Sequence, residues 1–532
     1  MALPETHQWP FEQQKQRAAD IVHLLSLYTN ILDSYVIEFF SENLWELVPC
    51  SWRETLSDLK APQLSMLLLE QGPCAGRQSV WPLSLLAYRA AAHALAFPRQ
   101  PREACSPPPH VPSGAGPGGQ EFRADCSHSP RISRLFCKHV KPKKQHEIQR
   151  LGAVREPSHR GRLVKKLCDS TGCERVVDIG SGQGHLSRYL AFGHGLCLTG
   201  VEAGTQLVAT ARSFDRQLLL ALHKDAARRR KTADGQEAWG PEPARILLPR
   251  HVVGRVDPGA TWQDLVRLLE PEEGSPEREG WGWCQPFVLT GLHACGDLGP
   301  AALRLFAHCP SARGITAVSC CYMKASASSS SCSGPADSGY PMSAWVRALP
   351  GHALPYKLRE TACHAIEDYA GRLRVQHTGL RVHCYRAVLE TIVRRLRPSV
   401  RRPALQLARN AHLLPFDDYA RAGLRRLGLD PETRWDTALV QSMLGQEGKV
   451  IAYFCLNLLL APAIETLILL DRLIYLQEQG IECALLPLFE PRFSPRNFVL
   501  VGAKAGGRVR DLLRPEEGAP SGQAQGSRGR EV

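Results

Sequence analysis

Apolar residues along this chain recur with two different periods, and the change of period marks its organisation. Over residues 11–98 they return every three to four positions. In AADIVHLLSLYTNILDSYVIEFF, Ile21, Leu24, Leu25, Tyr28, Ile31 and Leu32 form one stripe, the pattern of helices that bury one face. A helical N-terminal domain is expected there. From residue 175 the pattern changes to short apolar runs, each ending in polar residues: VVDIG, LCLTGVE, ARILLPRHVVG, FVLTGLHACGDLG and GITAVSCCYMK. Such runs read as buried parallel strands. Helical stretches separate them, as in HLSRYLAF and AALRLFAHCP, and this alternation specifies a doubly wound α/β sheet whose ligands lie at the carboxyl ends of its strands.

The run KVIAYFCLNLLLAPAIETLILL, residues 449–470, approaches the length and apolarity of a membrane span. Asn457, Pro462 and Glu465 interrupt it, and a buried helix followed by a final strand pair, IECALLPLF and NFVLVGAK, accounts for the whole region. A single-pass membrane helix is the alternative. Pro, Gly and Ser dominate residues 97–120, which read as a linker. The expected organisation is a helical domain over 1–98, a linker over 99–130, the α/β domain over 131–505 with insertions near 215–243 and 325–340, and a disordered tail over 506–532.

Composition alters this picture little. The chain has 532 residues, 44% of them hydrophobic, enough for a large core. Its 65 Lys and Arg against 52 Asp and Glu give a net charge of +13, compatible with an anionic partner such as RNA or with solvated basic faces. The 18 cysteines show no paired C-x-x-C spacing, and MALPETHQWPFEQQ lacks the basic-then-apolar order of a signal peptide. A reducing cytoplasmic or nuclear setting with free thiols is expected.

The most informative stretch is VVDIGSGQGHLSRYLAF, residues 176–192. A strand, a turn carrying Gly180, Gly182 and Gly184, and a helix start place free amide hydrogens around a nucleotide-like ligand. The dinucleotide fingerprint G-x-G-x-x-G is absent; G-x-G-x-G stands instead. Asp178 would repel a pyrophosphate but suits the ammonium of S-adenosylmethionine. Glu202 ends the next strand, where an acid accepts from ribose hydroxyls. The charge therefore argues for S-adenosylmethionine and against NAD.

With these blocks together, the chain resembles the class I (Rossmann-like) S-adenosylmethionine-dependent methyltransferases, DIGSGQG standing as the cofactor loop and the last strands as the fold's antiparallel closing pair. KPKKQHEI, VVDIGSGQGHLSRYL, LHACGDLGP, SCCYMK and YPMS resemble the methyltransferase-like family, over about residues 130–505. The resemblance implies that Asp178, Gly180, Ser181, Gly182 and Gly184 contact the methionine and ribose portions and that Glu202 holds the ribose. It places Lys143, Lys144, His146 and Glu147 on a lead-in helix over the site; a solvated basic face is the competing reading of that helix. The LHACGDL and SCCYMK pair is similar, more distantly, to blocks of transfer RNA 2′-O-methyltransferases, which suggests RNA as substrate. Adenine dimethylases carry an Asn-Leu-Pro-Tyr type block where this chain reads HACGDL, so adenine N6 is not the expected target. A protein acceptor, and a degenerate fold acting as a scaffold, are the alternatives.

Methyl transfer to oxygen or nitrogen often needs a base for the departing proton. His293 and Asp297 are the candidate bases, and Tyr322 or Lys324 the candidates to orient an acceptor. His293, Cys295, Cys320 and Cys321 offer ligand types that suit zinc. Adjacent cysteines chelate one ion poorly, however, so no metal is expected and the cysteines read as small wall residues. RRLRPSVRR at 394–402 and ARRRK at 227–231 are the strongest basic clusters. Neither is interleaved with aromatic residues, and solvated loops are expected for both.

Overall fold

A computed structural model describes residues 9–70, 80–100, 127–129, 132–152, 163–231, 247–270, 285–327, 339–408, 410–504 and 509. The linker 101–126, most of the second insertion and the tail beyond 509 lie outside the described residues, as does the 232–246 part of the first insertion. Seven strands form one sheet: β1 (Arg175–Ile179), β2 (Cys197–Glu202), β3 (Arg250–Val253), β4 (Phe287–Gly291), β5 (Ala312–Ala317), β6 (Glu482–Pro487) and β7 (Phe498–Ala503). Their order is β3-β2-β1-β4-β5-β7-β6. β1 to β5 pair in parallel, while β7 runs antiparallel to both β5 and β6. The expected doubly wound sheet with a terminal antiparallel pair is the observed architecture.

Strand order reverses between β1 and β4. Crossover helices leave toward opposite sides there, and a crevice opens at the carboxyl ends of the strands. In register, Asp178 of β1 lies opposite Gly200 of β2 and Thr290 of β4. One small and two buried polar residues thus line up at the end of an otherwise apolar sheet.

The helical half is continuous with this sheet. The helix Phe11–Leu27 packs on the helix Ala461–Glu478, as does Leu83–Leu95. Tyr88 donates to the carbonyl of Leu456 at 2.7 Å, and the Ser34 and Tyr453 hydroxyls lie 2.6 Å apart. Residues of 9–70 and 80–98 therefore share one core with helices drawn from 344–478 and with the sheet.

The apolar run at 449–470 is divided between two helices, Glu447–Leu459 and Ala461–Glu478, the second admitting Pro462 in its first turn where a missing N–H is harmless. Length and composition alone would let this region cross a membrane, but 89% of its most apolar window is buried inside the protein. Its polar residues point into the fold. Glu465 takes Arg99 and the Tyr322 hydroxyl, and Arg472 reaches the Ser319 hydroxyl. Asp471 accepts from Met342 N, Ser343 N and Ser343 Oγ at 2.7–2.9 Å.

Candidate functional site

β1 delivers Asp178 to the crevice almost fully buried. Its described hydrogen-bond donor is the Ser187 hydroxyl, at 2.7 Å, one turn into the following helix. Burial pushes this carboxyl up to about 6, against the opposing pull of Ser187, Lys144, His251 and His293. A buried acid with one described hydrogen-bond donor is costly to ionise, a property common at functional sites.

The glycine turn follows. Gly180 N donates to Val201 O at 2.8 Å and Gly184 N to Ser181 O at 3.0 Å, folding the loop onto the end of β2. At Gly184 a side chain would meet His251 Cε1 at 2.6 Å, so glycine is required for the turn to lie on β3. At Gly182, by contrast, nothing stands within 4 Å of a Cβ position. The backbone there borders open space, as a cofactor cradle needs. The Ser181 hydroxyl faces the other way, packed near Gly200 and His251 without a hydrogen-bond partner; this residue offers the crevice its backbone and not its side chain.

Glu202 stands at the end of β2, as expected, but its oxygens already accept from Gly182 N at 3.0 Å and Gly204 N at 2.9 Å. The carboxylate thus fixes the turn. Each oxygen retains a lone pair for a ribose hydroxyl. Beneath the turn, a buried chain missed by sequence reasoning braces it: His251 Nε2 lies 2.7 Å from Asp215, which also takes Arg188 Nε at 2.7 Å. The insertion between β2 and β3 obscured this arrangement, since it hid which residue of β3 faces the turn.

The lead-in helix Pro142–Gly152 is no solvated basic face. Gln145, His146, Glu147, Ile148 and Gln149 are all buried. Lys144 is mostly buried and lowered from its usual range by desolvation, opposed by Glu147, Asp178 and Cys320. Glu147 accepts from the Ser494 hydroxyl at 2.7 Å and meets His293 Nε2 at 3.2 Å. Burial works to raise this carboxyl, but His293, Lys143 and Ser494 outweigh it and hold it below its ordinary value. His293 is thus a partly exposed histidine with a buried carboxylate at one ring nitrogen.

Two of the four candidate catalytic side chains are engaged elsewhere. Tyr322 is buried, donates to Glu465 Oε1 at 2.9 Å and has Arg472 above its ring; it belongs to the core network and does not orient an acceptor. Asp297 accepts from Ser326 N at 2.7 Å and Ser326 Oγ at 3.0 Å, holding the loop that leaves the site. Lys324 is exposed at the rim. The cysteines are not separate wall residues: Cys295 and Cys320 sulfurs lie 2.7 Å apart, and Cys320 and Cys321 3.6 Å apart. The Cys320 sulfur beside it, with His293 and Lys324 nearby, favours the ionised form of Cys295 and lowers it from the ordinary thiol range.

Residues 143–328 match a family model described as a methyltransferase domain. The chain carries a methyltransferase domain. The match begins in the lead-in helix, spans β1 to β5 and takes in both the glycine turn and the cysteine-bearing turns. Beyond this domain the chain is similar to proteins named "Probable methyltransferase-like protein 25". The Homo sapiens protein is 24% identical over 461 residues, covering 68% of this chain and 74% of the relative. The Mus musculus protein is 24% identical over 463 residues, covering 68% and 75%. No solved structure gives a significant match.

The methyltransferase domain therefore presents, along neighbouring strand ends, an under-bonded buried acid, an open glycine turn, an acid at the end of β2 and a His–Glu pair. The donor set suits a cationic, ribose-bearing cofactor.

Proposed function

We propose that the chain binds S-adenosylmethionine at the glycine turn and methylates RNA. The observation that carries the cofactor assignment is Asp178: buried at the end of β1, with the Ser187 hydroxyl as its one side-chain donor among the described residues. Asp178 holds the cofactor ammonium, Glu202 the ribose, and the Gly182 backbone lines the space between. Bound S-adenosylmethionine supplies an electrophilic methyl group.

The protein's own part is positioning and proton removal. His293 has Nε2 engaged by Glu147, so Nδ1 takes the proton that the acceptor loses, and Glu147 stabilises the imidazolium that forms. Lys324, exposed at the rim, is placed to meet an anionic substrate. The RNA assignment is supported by the net charge of +13 and by the LHACGDL and SCCYMK blocks. In the 394–402 cluster Arg394 is tied to Glu38, Glu42 and Glu390, and Arg401 and Arg402 lie within ion-pair distance of Glu42 and Glu38, while Arg395 and Arg397 are exposed to solvent. A cytoplasmic or nuclear location belongs to the same proposal, and the burial of 89% of the most apolar window of 447–478 supports it over a membrane span in that region.

The test is transfer of a labelled methyl group from S-adenosylmethionine into fractionated cellular RNA and protein, using wild type and Asp178→Ala. Label in RNA that vanishes with the variant is expected. Label in protein would overturn the substrate; no label in any fraction, with no cofactor binding, would overturn the enzyme reading and leave a scaffold.

A further inference from the structure

Cys295, Cys320 and Cys321 place three sulfurs within 4.8 Å of one another. Tertiary structure creates this convergence. β4 and β5 are parallel neighbours, with Gly291 opposite Ala317, so the residue four beyond the first strand meets those three and four beyond the second. The two turns are drawn together by Val318 N donating to Gly291 O at 2.9 Å and Ala294 N to Val318 O at 3.3 Å. Gly296 has φ of +58°, and a Cβ there would lie 2.9 Å from Lys324 O. The close approach of the turns is thus built into the backbone.

We propose that these three cysteines form a binding site for a thiophilic divalent cation of the zinc class, independently of the cofactor reading. The 2.7 Å between the Cys295 and Cys320 sulfurs stands well inside the roughly 3.5–4.0 Å at which heavy atoms pack. A tetrahedral ion with Zn–S near 2.3 Å separates its sulfurs by about 3.8 Å, close to the 3.6 Å between Cys320 and Cys321. Opening the Cys295–Cys320 pair by about an ångström, within reach of a χ1 adjustment, accommodates the ion. Soft thiolates select such a metal. Lys144 and Lys324 act electrostatically on the cluster and offset its negative charge. Three ligands leave the fourth position to water or to a substrate group, and the ion would lock the β4 and β5 turns beside His293.

The experiment is metal analysis of the full-length protein, loaded with zinc under reducing conditions and gel-filtered, together with cobalt(II) titration followed by its sulfur-to-metal charge-transfer band. About one ion per chain is expected in wild type, with loss of that ion in Cys295→Ser and Cys320→Ser and retention in Cys363→Ser. Circular dichroism separates loss of a ligand from loss of the fold, and the cobalt spectrum of wild type stands without any variant. A folded wild-type chain that retains no zinc and shows no charge-transfer band would overturn the site. So would a Cys295–Cys320 disulfide found by peptide mass mapping of wild type purified without reductant.

Discussion

Asp178 and Asp471 are both completely buried, both raised from the ordinary carboxylate range by desolvation, and yet they sit in opposite kinds of surroundings. Asp471, in the helical half, accepts three hydrogen bonds from Met342 and Ser343 and has Arg472 beside it. Asp178, at the sheet end, takes one from Ser187 and looks into a crevice. A charge whose partners are supplied by the fold is architecture; one whose partners are incomplete is waiting for a ligand. The same contrast separates Glu465, held by Arg99 and Tyr322, from Glu202, which has two backbone donors and lone pairs left over.

The strongest way to break this comparison is to remove Asp471. Asp471→Ala strips the cap from 342–343 and leaves Arg472 buried without its neighbour, at a cost of about 3–5 kcal/mol; denaturant unfolding measures it, and an unchanged midpoint would refute the architectural reading. Asp178→Asn tests the other side with the opposite sign. The folded pKa lies above the unfolded value of 3.8, so ionised Asp178 subtracts stability. That penalty is absent below pH 3.8, grows toward pH 6 and is complete above it. The shift to about 6 corresponds to roughly 3 kcal/mol at about 1.4 kcal/mol per unit, and the Asn variant should gain up to that amount at pH 7 while losing cofactor affinity. In wild type, affinity should fall as pH drops through about 6, because a neutral carboxyl cannot pair with an ammonium. Calorimetric titration with S-adenosylmethionine across pH 5–8 reads both effects.

Glu202→Gln should weaken cofactor binding about tenfold, the scale of one charge-assisted hydrogen bond, and cost about 1–3 kcal/mol of stability, because the amide oxygen replaces only one of the two oxygens that accept from Gly182 N and Gly204 N. A larger loss of stability would make Glu202 a brace alone. Tyr322→Phe has the smallest expected effect. It removes one buried hydrogen bond, about 1 kcal/mol, and should leave kcat unchanged; a fall in kcat without a fall in stability would return Tyr322 to the acceptor site.

The periodicities disclosed most of the architecture because strands, turns and helices are chosen by nearest neighbours. The apolar runs became β1, β2, β4 and β5, and the final pair became β6 and β7. Asp178, the three glycines and Glu202 were legible for the same reason: a strand, a tight turn and the following strand lie within thirty residues. His251 and Asp215 were not legible, since their meeting spans the insertion between β2 and β3.

The sequence by itself determined the doubly wound sheet and the acids at its carboxyl end, both consequences of side-chain alternation and backbone freedom over short stretches. Only tertiary structure decided which of the polar residues crowded after β4 and β5 face the crevice. Cys321 and Tyr322 are adjacent in the chain, yet one joins the sulfur cluster and the other turns inward to Glu465, 143 positions away. Lys143, Glu147 and Ser494 likewise converge from the lead-in helix and the β6–β7 connection to set the environment of His293. Direction at a strand end is set by what packs against it. That partner comes from distant parts of the chain, and no local pattern encodes its arrival.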